Sequence, residues 1–167
     1  MKMKNMSAGT EVNKQTKLRS IHFNRFLLFR YTTALFFFIN LYWIILSFST
    51  FSIWIILPLL LLIIDIAIII EQTTKYWNPS NHLFITKVGY AVQIFSNSLG
   101  MITILMGYQQ LLFPFINNEG RGLLLVVLFI GCLVSLVVER RVQQIEHNKD
   151  AYLRHMKVFE NNVEKER

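Results

Sequence analysis

Four long apolar stretches constrain this chain more than any other feature of its sequence. A helix needs about 20 residues, each rising about 1.5 Å, to cross a hydrocarbon core of about 30 Å. The four stretches lie at about 31–48, 53–70, 88–107 and 123–138, and each comes close to that length. We therefore predict an all-α fold, a bundle of four transmembrane helices.

The first two stretches are separated only by residues 49–52. The alternative, a single long apolar block, fails because its roughly 40 residues are far too many for one crossing. So short a connection predicts a helical hairpin.

The chain has 17 Lys and Arg residues against 10 Asp and Glu, and the basic residues are unevenly distributed. Seven precede the first stretch and seven follow the fourth, while the connections hold only Lys75, Lys87 and Arg121. Positive charge is retained on the cytoplasmic side of a membrane. The distribution predicts a multi-pass protein of the cell membrane with both termini in the cytoplasm.

The membrane domain comprises residues 21–138, and the regions on either side of it are polar tails. Residues 1–20 are basic and lack apolar periodicity, so we predict a disordered tail attracted to anionic lipids on the cytoplasmic side. Residues 21–27 mix basic and aromatic side chains, a combination also found in nucleic-acid-binding segments. Beside a membrane span, that mixture favours a helix entering the bilayer interface, so we expect no nucleic-acid partner.

The last segment, residues 139–167, carries apolar residues spaced alternately three and four apart, with one lysine among them. This spacing predicts that the fourth span continues as an amphipathic helix into the cytoplasm. Two interpretations stay open: a short coiled coil that pairs protomers or recruits a partner, and a helix that lies on the membrane or folds back on its own bundle. The seam consists of Val142, Ile145, Lys149, Tyr152, Met156, Phe159 and Val163.

Four polar side chains inside the predicted spans mark contacts between helices, because lipid does not drive helices together hydrophobically. They are Asn40, Asp65, Gln93 and Asn97. Counted from the predicted cytoplasmic edges, Asn40 and Asn97 lie about 13 Å deep, and Asp65 and Gln93 about 8 Å deep. We expect the side chains to pair at equal depth.

Asp65 is the one acidic residue within a predicted span, and a lone carboxylate there is unfavourable. Gln93 can hydrogen-bond it, and Arg30 and Lys87 can reach in as counter-charges. One hypothesis is a proton- or ion-binding cluster in a small transporter. The other is a structural lock that fixes the rotation of the helices.

The residues that carry most enzyme chemistry are scattered in this sequence. The four histidines lack metal-ligand spacing, the seven glycines are dispersed, and Cys132 lies in an apolar run without a neighbouring base. We expect no enzyme activity, metal or cofactor.

Residues 23–31, with the runs Phe36-Phe37-Phe38 and Leu41-Tyr42-Trp43, resemble small four-span membrane proteins of Gram-positive bacteria. Some of these carry the label of a cellobiose phosphotransferase (PTS) subunit IIA. The resemblance covers mainly the first span. It implies no chemistry for this chain, because a IIA subunit is a soluble phosphocarrier with an active-site histidine, and no histidine here lies in a setting that resembles one.

Two functions follow as hypotheses. The first is a non-enzymatic membrane component that assembles with itself or with another membrane protein through its spans and cytoplasmic helix. The second is a small solute, ion or proton transporter that uses the cluster around Asp65.

Overall fold

The computed structural model of the chain describes residues 26–50, 52–77 and 82–147. Its long helices are α1 (Leu27–Phe48), α2 (Ile56–Trp77), α3 (Phe84–Leu105) and α5 (Arg121–Glu146). A short helix α4 (Gln109–Leu112) and two 3₁₀ turns, Ile53–Ile55 and Asn118–Gly120, lie in the connections. The predicted basic tail and the seam beyond Ile145 lie outside the described residues.

Each of the four long helices is long and apolar enough to cross a membrane. Large apolar side chains on all four helices are exposed, among them Phe38, Ile63, Phe95 and Phe129. Exposed apolar surface of this extent is what a lipid environment accommodates and water does not. The all-α bundle of four long helices is confirmed, and the chain is a multi-pass membrane protein.

The helix ends differ from the edges of the apolar stretches. α1 begins at Leu27, α2 continues through Trp77, and α5 runs unbroken from Arg121 to Glu146. Hydropathy marks the part of a helix that lies in hydrocarbon, and polar residues beyond it still extend the helix. α3 stops at Leu105 because Gly107 adopts a left-handed backbone with φ of 86°.

The helices pack in the cyclic order α1, α2, α3, α5. The most extensive contacts join α3 to α5 and α1 to α2, and those between α1 and α5 are sparse. The bundle therefore has a gap along part of one flank, between its first and last long helices.

The connection between α3 and α5 closes one end of the bundle. The indole Nε1 of Trp43 donates a hydrogen bond to the carbonyl oxygen of Leu112 at 3.1 Å, and its ring stacks on Phe113 with centroids 4.7 Å apart. We call this the capped end. The opposite end, where α1 begins and α5 ends, is called the terminal end.

The terminal end has its own apolar core, which includes the first two positions of the predicted seam. Val142 and Ile145 are fully buried there and pack with Phe29 and Leu83. These two positions therefore belong to the bundle itself.

Candidate functional site

The side chain of Asp65 lies inside the bundle and bonds to its hairpin neighbour. Asp65 on α2 is 4% exposed and Asn40 on α1 is 1% exposed. Asn40 Nδ2 donates a hydrogen bond of 2.8 Å to Asp65 Oδ2. Among the described residues, the Asp65 carboxyl group therefore accepts its hydrogen bond from a neutral amide.

The expected pairing by equal depth was wrong for Asp65, because α2 is longer at the terminal end than its apolar stretch. At about 1.5 Å per residue, Asp65 lies about 18 Å from the end of α2 at Trp77. Asn40 lies about 20 Å from the start of α1, and Asn97 about 20 Å from the start of α3. Asp65 thus shares its depth with Asn40 and Asn97, and Gln93 lies one turn nearer the terminal end.

Gln93 and Asn97 are both buried and bond to each other along α3. Gln93 Nε2 donates to Asn97 Oδ1 at 3.2 Å. A Cβ atom added to Gly131 on α5 would lie only 2.6 Å from Asn97 Nδ2. A side chain at position 131 would therefore have to displace the amide group of Asn97.

The predicted counter-charges lie near the terminal end. Lys87 Nζ forms an ion pair with Glu146 Oε2 at 3.0 Å, which joins the start of α3 to the end of α5. Arg30 lies in the first turn of α1, about 15 Å along the helix axis from Asn40. Lys87 thus forms its ion pair with Glu146 on α5, away from Asp65.

A second polar network, which the sequence did not single out, centres on the buried hydroxyl of Tyr90 on α3. It shares hydrogen bonds with the hydroxyls of Thr32 at 2.8 Å and Thr33 at 3.0 Å, both on α1. Gln72 Nε2 on α2 donates to Thr33 Oγ1 at 3.3 Å. Tyr90 lies three residues before Gln93, so the polar face of α3 was the signal that could have found it.

Glu71 on α2 was also missed, because it follows the apolar stretch of that span. Its carboxylate accepts hydrogen bonds from the backbone N–H groups of Ile85 and Thr86 and from the Thr86 hydroxyl, at 3.2, 2.7 and 2.6 Å. The N-cap residue of α3, Leu83, offers no side-chain cap. Glu71 therefore caps α3 from a neighbouring helix and complements the positive end of its dipole.

A cavity of about 170 Å³ lies in the gap between α1 and α5. Three residues of the predicted cluster, Asn40, Gln93 and Asn97, line it, and the fourth, Asp65, bonds Asn40. The rest of the lining is mostly apolar and aromatic: Phe36, Ile39, Tyr42, Trp43, Leu46, Phe113, Phe115, Leu124, Val127, Leu128 and Gly131. The exposed members of this set, Ile39, Tyr42, Leu46 and Val127, place the mouth on the side of the bundle.

Cys132 is buried where α5 meets α3. Its sulfur lies 3.8 Å from the Ser98 hydroxyl and 3.9 Å from the carbonyl oxygen of Ile94. Both contacts join α5 to α3, so the thiol packs the two helices together.

The site offers three amide groups and one carboxyl group, which can donate and accept hydrogen bonds inside the membrane. Among residues 26–50, 52–77 and 82–147, no group of three or more His, Cys, Asp or Glu side chains is arranged to hold a metal ion. No protein-family model, curated protein or solved structure matches this chain.

Proposed function

We propose that this protein is a non-enzymatic membrane component that assembles with a second copy of itself or with another membrane protein. The observation that carries the proposal is an exposed seam on α1. Tyr31, Leu35, Phe38, Tyr42 and Ile45 are spaced four, three, four and three apart, and all five are exposed. This is the spacing with which one helix packs against another along its length.

Tyr42 makes this seam more than an ordinary lipid-facing surface. It is 64% exposed, and its Cα lies about 9 Å along the helix axis from the end of α1 at Phe48. A polar group on another helix can satisfy this hydroxyl within the membrane, which hydrocarbon cannot do. In the coiled-coil interpretation of the C-terminal segment, the seam beyond Ile145 would extend the same assembly outside the membrane.

Two matched variants test the role of the seam. Phe38 is 55% exposed within the seam, and Phe95 is 68% exposed on α3, outside it. After purification in mild detergent, native mass spectrometry should detect a stoichiometric complex that Phe38→Ala weakens and Phe95→Ala leaves intact. A monomeric chain without a partner, or equal loss with both variants, would refute assembly through α1.

We further propose that both termini lie in the cytoplasm, which the basic residues before α1 and after residue 139 support. Ser49 in the first hairpin and Gln144 near the end of α5 are both exposed and serve as labelling positions. In a Cys132→Ser background, an impermeant thiol reagent should label Ser49→Cys in intact cells. It should label Gln144→Cys only after permeabilisation, and the reverse pattern would invert the topology.

A transporter is the second candidate, and the cavity lined by Asn40, Gln93 and Asn97 favours it. In this case Asp65 would bind or release a proton during transport. Asp65→Asn should then assemble normally and lose pH-dependent solute flux in liposomes, while Glu71→Gln, an equal loss of charge outside the cluster, should retain it. Unchanged flux in Asp65→Asn would exclude that role for Asp65.

A further inference from the structure

The cavity between α1 and α5 has the size of a single ring. Its volume is about 170 Å³. An engineered protein cavity of about 150 Å³ with an apolar lining binds benzene, which sets the scale for a single ring. An occupant that lies wholly within the cavity must therefore be small.

The route into the cavity leads from the bilayer. Ile39, Tyr42, Leu46 and Val127 line its mouth and are exposed on the flank of the bundle. Around a membrane-spanning helix the surrounding solvent is lipid. An occupant must therefore first dissolve in the membrane.

One hydrogen-bond acceptor among the polar residues that line the cavity has no donor. Asn40 lines the cavity and its Nδ2 is engaged with Asp65, which leaves Oδ1 without a partner among the described residues. Two other buried side-chain atoms in the described part of the chain are unpartnered, on Gln109 and Ser135, and neither residue lines the cavity. A buried acceptor without a donor is unfavourable, so an occupant that supplies a donor is preferred over a plain hydrocarbon chain.

We propose that this cavity binds a membrane-soluble molecule of single-ring size with one hydrogen-bond donor, of the phenol or indole class. The donor bonds Asn40 Oδ1, and the ring packs among the aromatic side chains of Phe36, Trp43 and Phe113. Aromatic rings gain from edge and offset-stacked contacts with one another beyond the area they bury. Binding at this cavity goes beyond the assembly role and does not require it; because Tyr42 belongs both to the mouth and to the α1 seam, assembly through that seam would narrow the route from the bilayer.

The first test compares two probes of nearly equal size on the unaltered chain in lipid nanodiscs. 4-Fluorophenol carries a donor, and 4-fluorotoluene replaces the hydroxyl by a methyl group. Fluorine NMR titrations, corrected for partitioning into empty nanodiscs, should give saturable binding of both. We expect 4-fluorophenol to bind about fivefold to tenfold more tightly, as one net hydrogen bond allows.

The second test blocks the mouth. Val127 lines the cavity, while its neighbour Val126 is exposed and does not. Val127→Phe should weaken 4-fluorophenol binding at least tenfold, and Val126→Phe should change it less than twofold. Because both variants add the same ring to an exposed position of α5, their difference isolates the cavity.

Three results would overturn the proposal. Absence of saturable binding would mean that water or nothing occupies the space. Equal affinity for the two probes would mean an apolar site suited to the end of an acyl chain, with no role for Asn40 Oδ1. Equal effects of Val126→Phe and Val127→Phe would place the binding elsewhere.

Discussion

Replacing either member of the Asn40–Asp65 pair should cost more stability than replacing both. The two side chains are 1% and 4% exposed and are joined at 2.8 Å across the α1–α2 hairpin. Asn40→Leu leaves the Asp65 carboxyl group without its amide donor. Asp65→Leu leaves the Asn40 amide with two buried and unbonded polar atoms. The double variant leaves neither.

The magnitude follows from the asymmetry of buried hydrogen bonds. A buried group deprived of its partner costs about 1–3 kcal/mol, whereas replacement of both partners by apolar groups can be nearly neutral. Hydrogen bonds between membrane helices average about 0.6 kcal/mol and reach about 1.7 kcal/mol. We therefore expect each single variant to lose about 1–2 kcal/mol, where the two ranges overlap, and the double variant to lose less than Asn40→Leu alone.

Reversible unfolding by SDS in bicelles, followed by circular dichroism, measures these free energies. Ile66→Leu, a change at an exposed position beside Asp65, is the control and should stay within about 0.5 kcal/mol of the parent. A double variant that is destabilised by the sum of the two single effects would refute the reasoning. The carboxyl group would then be stabilised by something other than Asn40.

Three further predictions concern the helix ends. Glu71→Ala should speed amide exchange at Thr86 and lower stability by about 1 kcal/mol, since α3 loses its cap; unchanged exchange would contradict this. Gly107→Ala should cost about 1 kcal/mol in the same unfolding assay, because Gly107 has a φ of 86°. Gly122→Ala is the control: it also adds a Cβ in open space, but without a positive φ, and should be neutral or stabilising. Lys87→Met should cost less than about 1 kcal/mol, and the loss should vanish at high salt because the ion pair is partly exposed.

The four helices could be predicted from the sequence because the length of an apolar run reports directly on the thickness of the bilayer. The polar face of α3 was also readable, since Gln93 and Asn97 lie one turn apart. Both residues are buried, as that face predicts. Information of this kind lies within one helix.

The pairing of helices could not be predicted, because it depends on how far each helix extends beyond its apolar run. The polar sequence after Ile70 hides the continuation of α2, which shifts the depth of Asp65 relative to Gln93. The same polar sequence hides the cap formed by Glu71. The cavity could not be predicted from the sequence either, since it exists only because α1 and α5 pack sparsely.

The cap on α3 has a consequence for how this chain enters a membrane. α3 is the least apolar of the four long helices, and α2, which precedes it, is the most apolar. A weakly apolar segment with unbonded N–H groups at its first turn partitions poorly on its own. Once α2 is in the bilayer, Glu71 is positioned to receive those groups. α2 and α3 should therefore insert as one cooperative unit during synthesis, with the second helix completing the start of the third.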